Sequence, residues 1–160
     1  MSAGQEIERK FLVTGELPDD LDQHPSEEIS QGYLAVADDG TEVRVRARGD
    51  DYMLTVKSGP AHTRVEEEIE IDERRFESLW PLTAGRRIEK RRYLIPACDQ
   101  LSVELDVYAG ELDGLVTAEI EFDSAAQAEA FEPPPWIGSD VTGDGGYSNQ
   151  SLAAHGRPHG

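Results

Sequence analysis

Three observations predict an α+β protein built on an eight-stranded antiparallel β-barrel, a tunnel with a charged interior and helices packed on the outside. Eight short strands are joined mostly by tight turns, charged and apolar residues alternate along nearly every strand, and the few helices need an apolar surface to pack on. Successive side chains of a strand point to opposite faces. Helices must cover the apolar faces, so those faces turn outward and the charged faces line the inside. An open sheet with one solvated face is the alternative that this patterning leaves standing.

The first strand sets the pattern. In Glu6-Ile7-Glu8-Arg9-Lys10, two carboxylates and an ammonium group share one face, while Ile7, Phe11 and Val13 share the other. Residues 14–28 read as a polar loop with a short helical turn around 19–22. Residues 29–37 form a second strand, and Asp38-Asp39-Gly40 marks a hairpin into a third, Glu42-Val43-Arg44-Val45-Arg46-Ala47-Arg48. Gly49-Asp50-Asp51 turns the chain into a fourth strand, 52–57, which ends at Ser58-Gly59-Pro60. In the fifth, 63–71, Arg64, Glu66, Glu68 and Glu70 lie opposite Val65, Ile69 and Ile71.

Asp72 is placed to cap a helix running to about residue 82, with Phe76, Leu79 and Trp80 on its buried side. Strands follow at 86–95, 101–108 and 115–122; they set Arg86, Lys90 and Arg92 on one parity, then Glu104 and Asp106, then Glu119 and Glu121. Ser124 caps a helix to Phe131 that Pro133-Pro134-Pro135 stops. A Gly- and Asp-rich connector leads to Ser148, which caps a last helix over 149–154. No internal repeat or second domain boundary interrupts the 160 residues, so one domain spans 1–160.

Composition removes several function classes. The net charge of −18, from 33 acidic and 15 basic residues, argues against nucleic acid as a partner. No run approaches the roughly 20 apolar residues of a membrane span. The first residues lack the basic and apolar regions of a signal peptide, so a cytoplasmic location is expected. A single cysteine, Cys98, builds neither an internal disulfide nor a thiolate metal site. A homodimer is left open.

The inward face, by parity, carries both signs in quantity, and burying so much charge is costly unless it is paired or holds a ligand. The signs are segregated: strands one, five, seven and eight carry most of the acids, while strands three, four and six carry bases only. Such segregation favours hard cations on carboxylate oxygens and a polyanion on Arg and Lys. A metal–polyphosphate combines the two, and carboxylate-only sites suit Mg²⁺ or Mn²⁺ rather than zinc. Arg64, on the parity of Glu66, joins the candidate phosphate-binding bases.

These residues resemble the CYTH superfamily, the triphosphate tunnel metalloenzymes. Glu6-Ile7-Glu8-Arg9-Lys10 matches the family's ExExK signature near the N-terminus. Gln31-Gly32-Tyr33-Leu34, Arg44-Val45-Arg46, Leu54-Thr55-Val56-Lys57, Arg64-Val65-Glu66-Glu67-Glu68, Lys90-Arg91-Arg92-Tyr93, Glu104-Leu105-Asp106, Ala118-Glu119-Ile120-Glu121-Phe122 and Tyr147-Ser148-Asn149 follow in the order of short bacterial members. The resemblance implies that Lys10, Arg44, Arg46, Lys57, Lys90 and Arg92 grip triphosphate oxygens. It implies that Glu6, Glu8, Glu119 and Glu121 hold divalent ions, with Glu66, Glu68 and Asp106 close by, and that the last helix closes one tunnel mouth. Gly145-Gly146 stands where such proteins often carry a basic residue, so no phosphate contact is expected there.

The chemistry expected is hydrolysis of a terminal phosphoanhydride by metal-assisted water attack, with Lys10 and Tyr33 as candidates for proton handling. An inorganic triphosphatase fits first. A class IV adenylate cyclase and a non-catalytic polyphosphate-binding module are the alternatives.

Only three lysines occur, at 10, 57 and 90, each on a predicted strand beside other charges, so surface lysine is almost absent while Asp and Glu abound. An acidic, strongly hydrated surface of this kind is expected to gain stability from salt, which screens its self-repulsion. Thermal unfolding followed from low to molar salt should show a rising Tm; a flat or falling Tm would remove the idea of salt adaptation.

Overall fold

A computed structural model describes residues 7–58 and 65–158. Glu6 and Arg64, expected at the metal and the phosphate respectively, lie outside the described residues, as do the Gly59-Pro60 turn and the start of the fifth strand. The strands are β1 (Ile7–Leu12), β2 (Ser26–Val36), β3 (Glu42–Arg48), β4 (Asp51–Ser58), β5 (Val65–Glu70), β6 (Arg87–Pro96), β7 (Ser102–Tyr108) and β8 (Val116–Phe122). All pair antiparallel, in the order β1-β8-β7-β6-β2-β3-β4-β5.

The expected closed barrel needs correction. Among the described residues β1 and β5 are the two edges of one eight-stranded sheet and do not pair with each other. Both edges carry carboxylates on the inner face, Glu8 on one and Glu66, Glu68 and Glu70 on the other, and like charges set opposite one another oppose pairing. The sheet is nevertheless strongly curved. Helix α3 (Asn149–His155) packs on β2 and β6, while the turn just before it accepts a hydrogen bond from Lys10 on β1. In a flat sheet β1 and β2, four places apart, would lie about 19 Å from each other, farther than this helix of about 10 Å could bridge.

The outer face is apolar and largely covered, except along edge strand β5, where Val65 and Ile69 are exposed. Helix α1 (Glu73–Leu79) is capped by Asp72, whose carboxylate accepts from the Arg75 N–H at 2.8 Å. Its Phe76 ring lies 5.3 Å from Tyr52 and 5.2 Å from Trp80. The helix ends at Leu79 rather than near residue 82, because Pro81 tightens the following turn into a 3₁₀ form. Helix α2 (Ala125–Ala130), capped by Ser124, covers β1 and β8 with the segment after it. Phe11, Val103, Leu105, Ala118, Ile120 and Phe122 meet Ala128, Phe131 and Ile137 there. Arg9, on the outward parity, donates to the carbonyls of Ala128 and Phe131 at 2.9 and 3.1 Å and pairs with Asp140 at 3.1 Å. No described helix is long and apolar enough to cross a membrane.

Strand β2 starts three residues earlier than expected, because Ser26, Glu27 and Glu28 pair with Tyr93, Arg92 and Arg91 of β6. Its register shifts between Tyr33 and Ala35 on the β3 side. Gly32 faces outward against Thr83, and a Cβ built at Gly32 would sit 2.5 Å from the Thr83 Cβ. Gly32→Ala must therefore push the one-turn helix off the sheet. It is expected to cost about 1–3 kcal/mol, the usual penalty of overpacking, read as a lower urea midpoint at unchanged slope.

Candidate active site

The cross-strand register puts the charged residues on the concave face in rows. Glu8 faces Glu121, Lys10 faces Glu119, Glu119 faces Glu104, and Asp106 faces Arg92. Further along the sheet, Tyr33 faces Arg44, Gln31 faces Arg46, and Glu42 faces Lys57. On β5, Glu66 and Glu68 face Lys57 and Thr55.

At the β1–β8 corner the carboxylates crowd. Burial raises the Glu119 pKa, the Glu8 carboxylate adds a hydrogen bond and like charge, and the net result is a group pushed up to about 7 despite Lys10 and Arg92. Excess negative potential on oxygen donors is what a hard divalent cation relieves, so Glu8 and Glu119, with Glu121 exposed beside them, fit such an ion. Among the described residues no three acidic, His or Cys side chains converge as a ready-made metal cage. The expected neighbours Glu66 and Glu68 sit on the exposed edge strand β5, where Glu66 pairs with Lys57 at 3.5 Å.

Asp106 is engaged by cations. It is 5% exposed, and its two oxygens are bound by cations: Arg92 at 2.8 and 3.0 Å, Lys90 at 2.8 Å. Burial alone would raise its pKa, but Arg92 and Lys90 outweigh burial and hold it below the usual carboxylate value. A carboxylate so engaged organises the two cations. Lys90 is lowered by burial against the pull of Asp106, and its ammonium lies 5.3 Å from the centre of the Tyr108 ring. Arg92 reaches Glu104 as well, at 3.1 Å.

The β2–β3–β4 region is cationic. Burial, then Arg44 and Arg48, lower Arg46, which marks a place short of negative charge. The Arg44 Nε is buried and meets no hydrogen-bond acceptor among the described residues. Tyr33 faces inward beside Arg44 and its hydroxyl accepts from Gln31 Nε2 at 3.0 Å. Burial raises its pKa, so it stays a phenol, and it is also packed at 2% exposure.

The lining expected on strands three, four and six contained bases only, and two features depart from that. Glu42 lies on the inner face at 6% exposure, 3.8 Å from Arg44. It sits on the parity of Arg44 and Arg46, so alternation could have found it. Arg86 is not in the lining; it precedes β6 and donates to the carbonyls of Tyr33, Leu34 and Leu82. One end of the concave face is apolar: Tyr33, Ile88 and Tyr108 pack against Leu152 and Ala153 of α3, which covers that end as the resemblance implied. Lys10 is lowered by burial, and its ammonium donates to the Tyr147 carbonyl in the turn before α3. The other end opens into a cavity of about 520 Å³ whose walls include Glu27, Arg46, Arg48, Met53 and Glu70.

Known proteins match this chain along nearly its whole length. An inorganic triphosphatase from Nitrosomonas europaea is 47% identical over 148 residues, 92% of this chain and 96% of that protein. One from Acetivibrio thermocellus is 38% identical, with 93% of each chain covered. The crystal structure of an inorganic triphosphatase superposes with a TM-score of 0.82 at 44% identity, covering 96% of this chain and 97% of the other. The CYTH domain model matches residues 4–142, and the chain belongs to the CYTH family.

Proposed function

We infer that this protein is a divalent-metal-dependent triphosphatase that hydrolyses a terminal phosphoanhydride, with inorganic tripolyphosphate as its preferred substrate. The observation that carries the reading is the sharing of one concave face between a carboxylate corner at Glu8 and Glu119 and a cationic region at Arg44, Arg46 and Lys57. The 47% identity to an inorganic triphosphatase supports the same activity.

Phosphoryl transfer needs positioning and charge neutralisation more than covalent help. Arg44, Arg46, Lys57 and Arg92 supply donors to the phosphate oxygens, and Lys90 adds charge from below. Asp106 fixes Arg92 and Lys90, so those cations do not reorganise when the anion arrives. Glu8, Glu119 and Glu121, with Glu6, are the carboxylates assigned to Mg²⁺ or Mn²⁺; bound there, such an ion supplies positive charge to phosphate oxygens and acidifies a water. Tyr33 stays protonated and donates a hydrogen bond. Lys10, whose pKa burial lowers, gives up its proton more easily than an exposed lysine.

Phosphate release from tripolyphosphate and ATP, each with Mg²⁺, Mn²⁺ or chelator, tests the assignment. Metal-dependent release favouring tripolyphosphate is expected, and Glu119→Gln should lower kcat at least about 100-fold. Cyclic AMP from ATP, with tripolyphosphate untouched, would move the protein to the cyclases.

A second expectation concerns Asp106. Its folded pKa is depressed, so its contribution to stability is full above the ordinary carboxylate pKa of about 4 and is lost as pH falls through the lower folded value. Asp106→Asn leaves two buried cations short of a counter-charge and should cost about 3–5 kcal/mol at neutral pH. Urea unfolding of both proteins from pH 7 to pH 3 should show the gap closing at the acid end; a constant gap would assign the loss to packing.

A further inference from the structure

Glu42 is the buried carboxylate that the proposed mechanism does not use. It opens β3 at 6% exposure, faces Lys57 across the β3–β4 pair, and lies 3.8 Å from Arg44. Its charge is also felt at Tyr33, where it opposes the influence of Arg44. Along the inner face of β3 the order is Glu42, Arg44, Arg46, Arg48, with neighbours about 7 Å apart. The cations therefore run from the open cavity toward the end that α3 covers, and the row terminates in a negative charge.

A carboxylate in that place competes with substrate. It attracts the same two cations that a phosphate would take and repels the phosphate itself, in a setting where charges act strongly. Stability alone gives little reason for it, since buried ion pairs contribute weakly to net stability. Its value lies in placement. It holds Arg44 in place, 3.8 Å away, and it resists an anion sliding past Arg44 toward the apolar end. An anion that slid so far would move its terminal phosphoanhydride away from Glu8 and Glu119.

Resting on the triphosphatase reading, we propose that Glu42 is a positioning residue, a fixed counter-charge that sets how deep the triphosphate sits, at a cost in affinity. Affinity should then follow the charge at residue 42, and turnover should follow the position of that charge.

The experiment compares wild type, Glu42→Gln and Glu42→Asp in two assays: tripolyphosphate binding with chelator present, by calorimetry, and steady-state hydrolysis with metal. Glu42→Gln should bind tripolyphosphate roughly tenfold more tightly, from removal of one nearby repulsive charge, and yet show a lower kcat. Glu42→Asp keeps the charge but draws it back by one methylene. Its affinity should stay close to that of wild type while kcat still falls several-fold. Should Glu42→Gln fail to fold, as judged by its thermal transition, the Glu42→Asp split between affinity and kcat decides alone. Weaker binding in Glu42→Gln, equal losses in affinity and kcat, or wild-type kinetics in Glu42→Asp would overturn the proposal and leave the triphosphatase reading intact. Wild-type protein that neither binds nor cleaves tripolyphosphate would overturn both.

Discussion

The bond network of Asp106 is the constraint on which the concave face depends. Two cations, Lys90 and Arg92, stand on the same face of β6 near the middle of the sheet, and Lys90 is almost wholly out of water. Charges in such a place are tolerated only when compensated in good geometry. Asp106 on the adjacent strand supplies that geometry with three contacts of 2.8–3.0 Å. The β6–β7 register makes it possible, since Arg92 and Asp106 are direct partners and Lys90 lies one inward position further along. A slip of one residue would turn the cations outward and bring Arg91 and Tyr93 into the concavity.

From that centre the sheet spreads to two edges, β1 and β5, which do not pair with each other among the described residues. Carboxylates occupy the inner face at β1 and β5, and beside β1 burial, then Glu8, raise Glu119 on β8. The outer face does the opposite work. Phe11, Ile120 and Phe122 under α2, and Tyr52 with Phe76 and Trp80 at α1, provide the apolar burial that the charged face forgoes. Arg9 belongs to this outer economy. It sits inside the ExExK motif, yet it ties α2 and Asp140 to β1, so the signature has a structural residue between its functional ones.

Much of this was legible in the sequence because strand parity is a strict rule. All eight strands, the caps at Asp72, Ser124 and Ser148, and the inward set of Glu8, Lys10, Arg44, Lys57 and Glu119 follow from alternation and capping chemistry. The failures have physical reasons. Closure of the barrel depends on whether the two edge strands meet in the assembled sheet, which no local pattern encodes. The partners of Asp106 are set by which strands lie side by side, and β6 reaches β7 and β2 only in the assembled sheet. Glu42 was missed beside a turn although its parity was plain. The apolar end under α3 escaped notice because Ile88 and Tyr108 sit singly among charges, and only the folded chain brings them together.

The cations of the concave face fall into two kinds, and the division explains how one surface can be both stable and attractive to an anion. Lys90 and Arg92 are matched by carboxylates within 2.8–3.1 Å; they shape the site but offer a reduced net field. Lys10 is held by the carbonyl of Tyr147, whose dipole orients an ammonium group without cancelling its charge. Arg46, lowered by burial and then by its neighbours Arg44 and Arg48, keeps its charge as well. An incoming polyphosphate gains most from this second kind, because their charges are positioned without first being neutralised. Preorganisation by neutral partners and by backbone is therefore what lets a protein of net charge −18 present a positive surface to a highly charged anion.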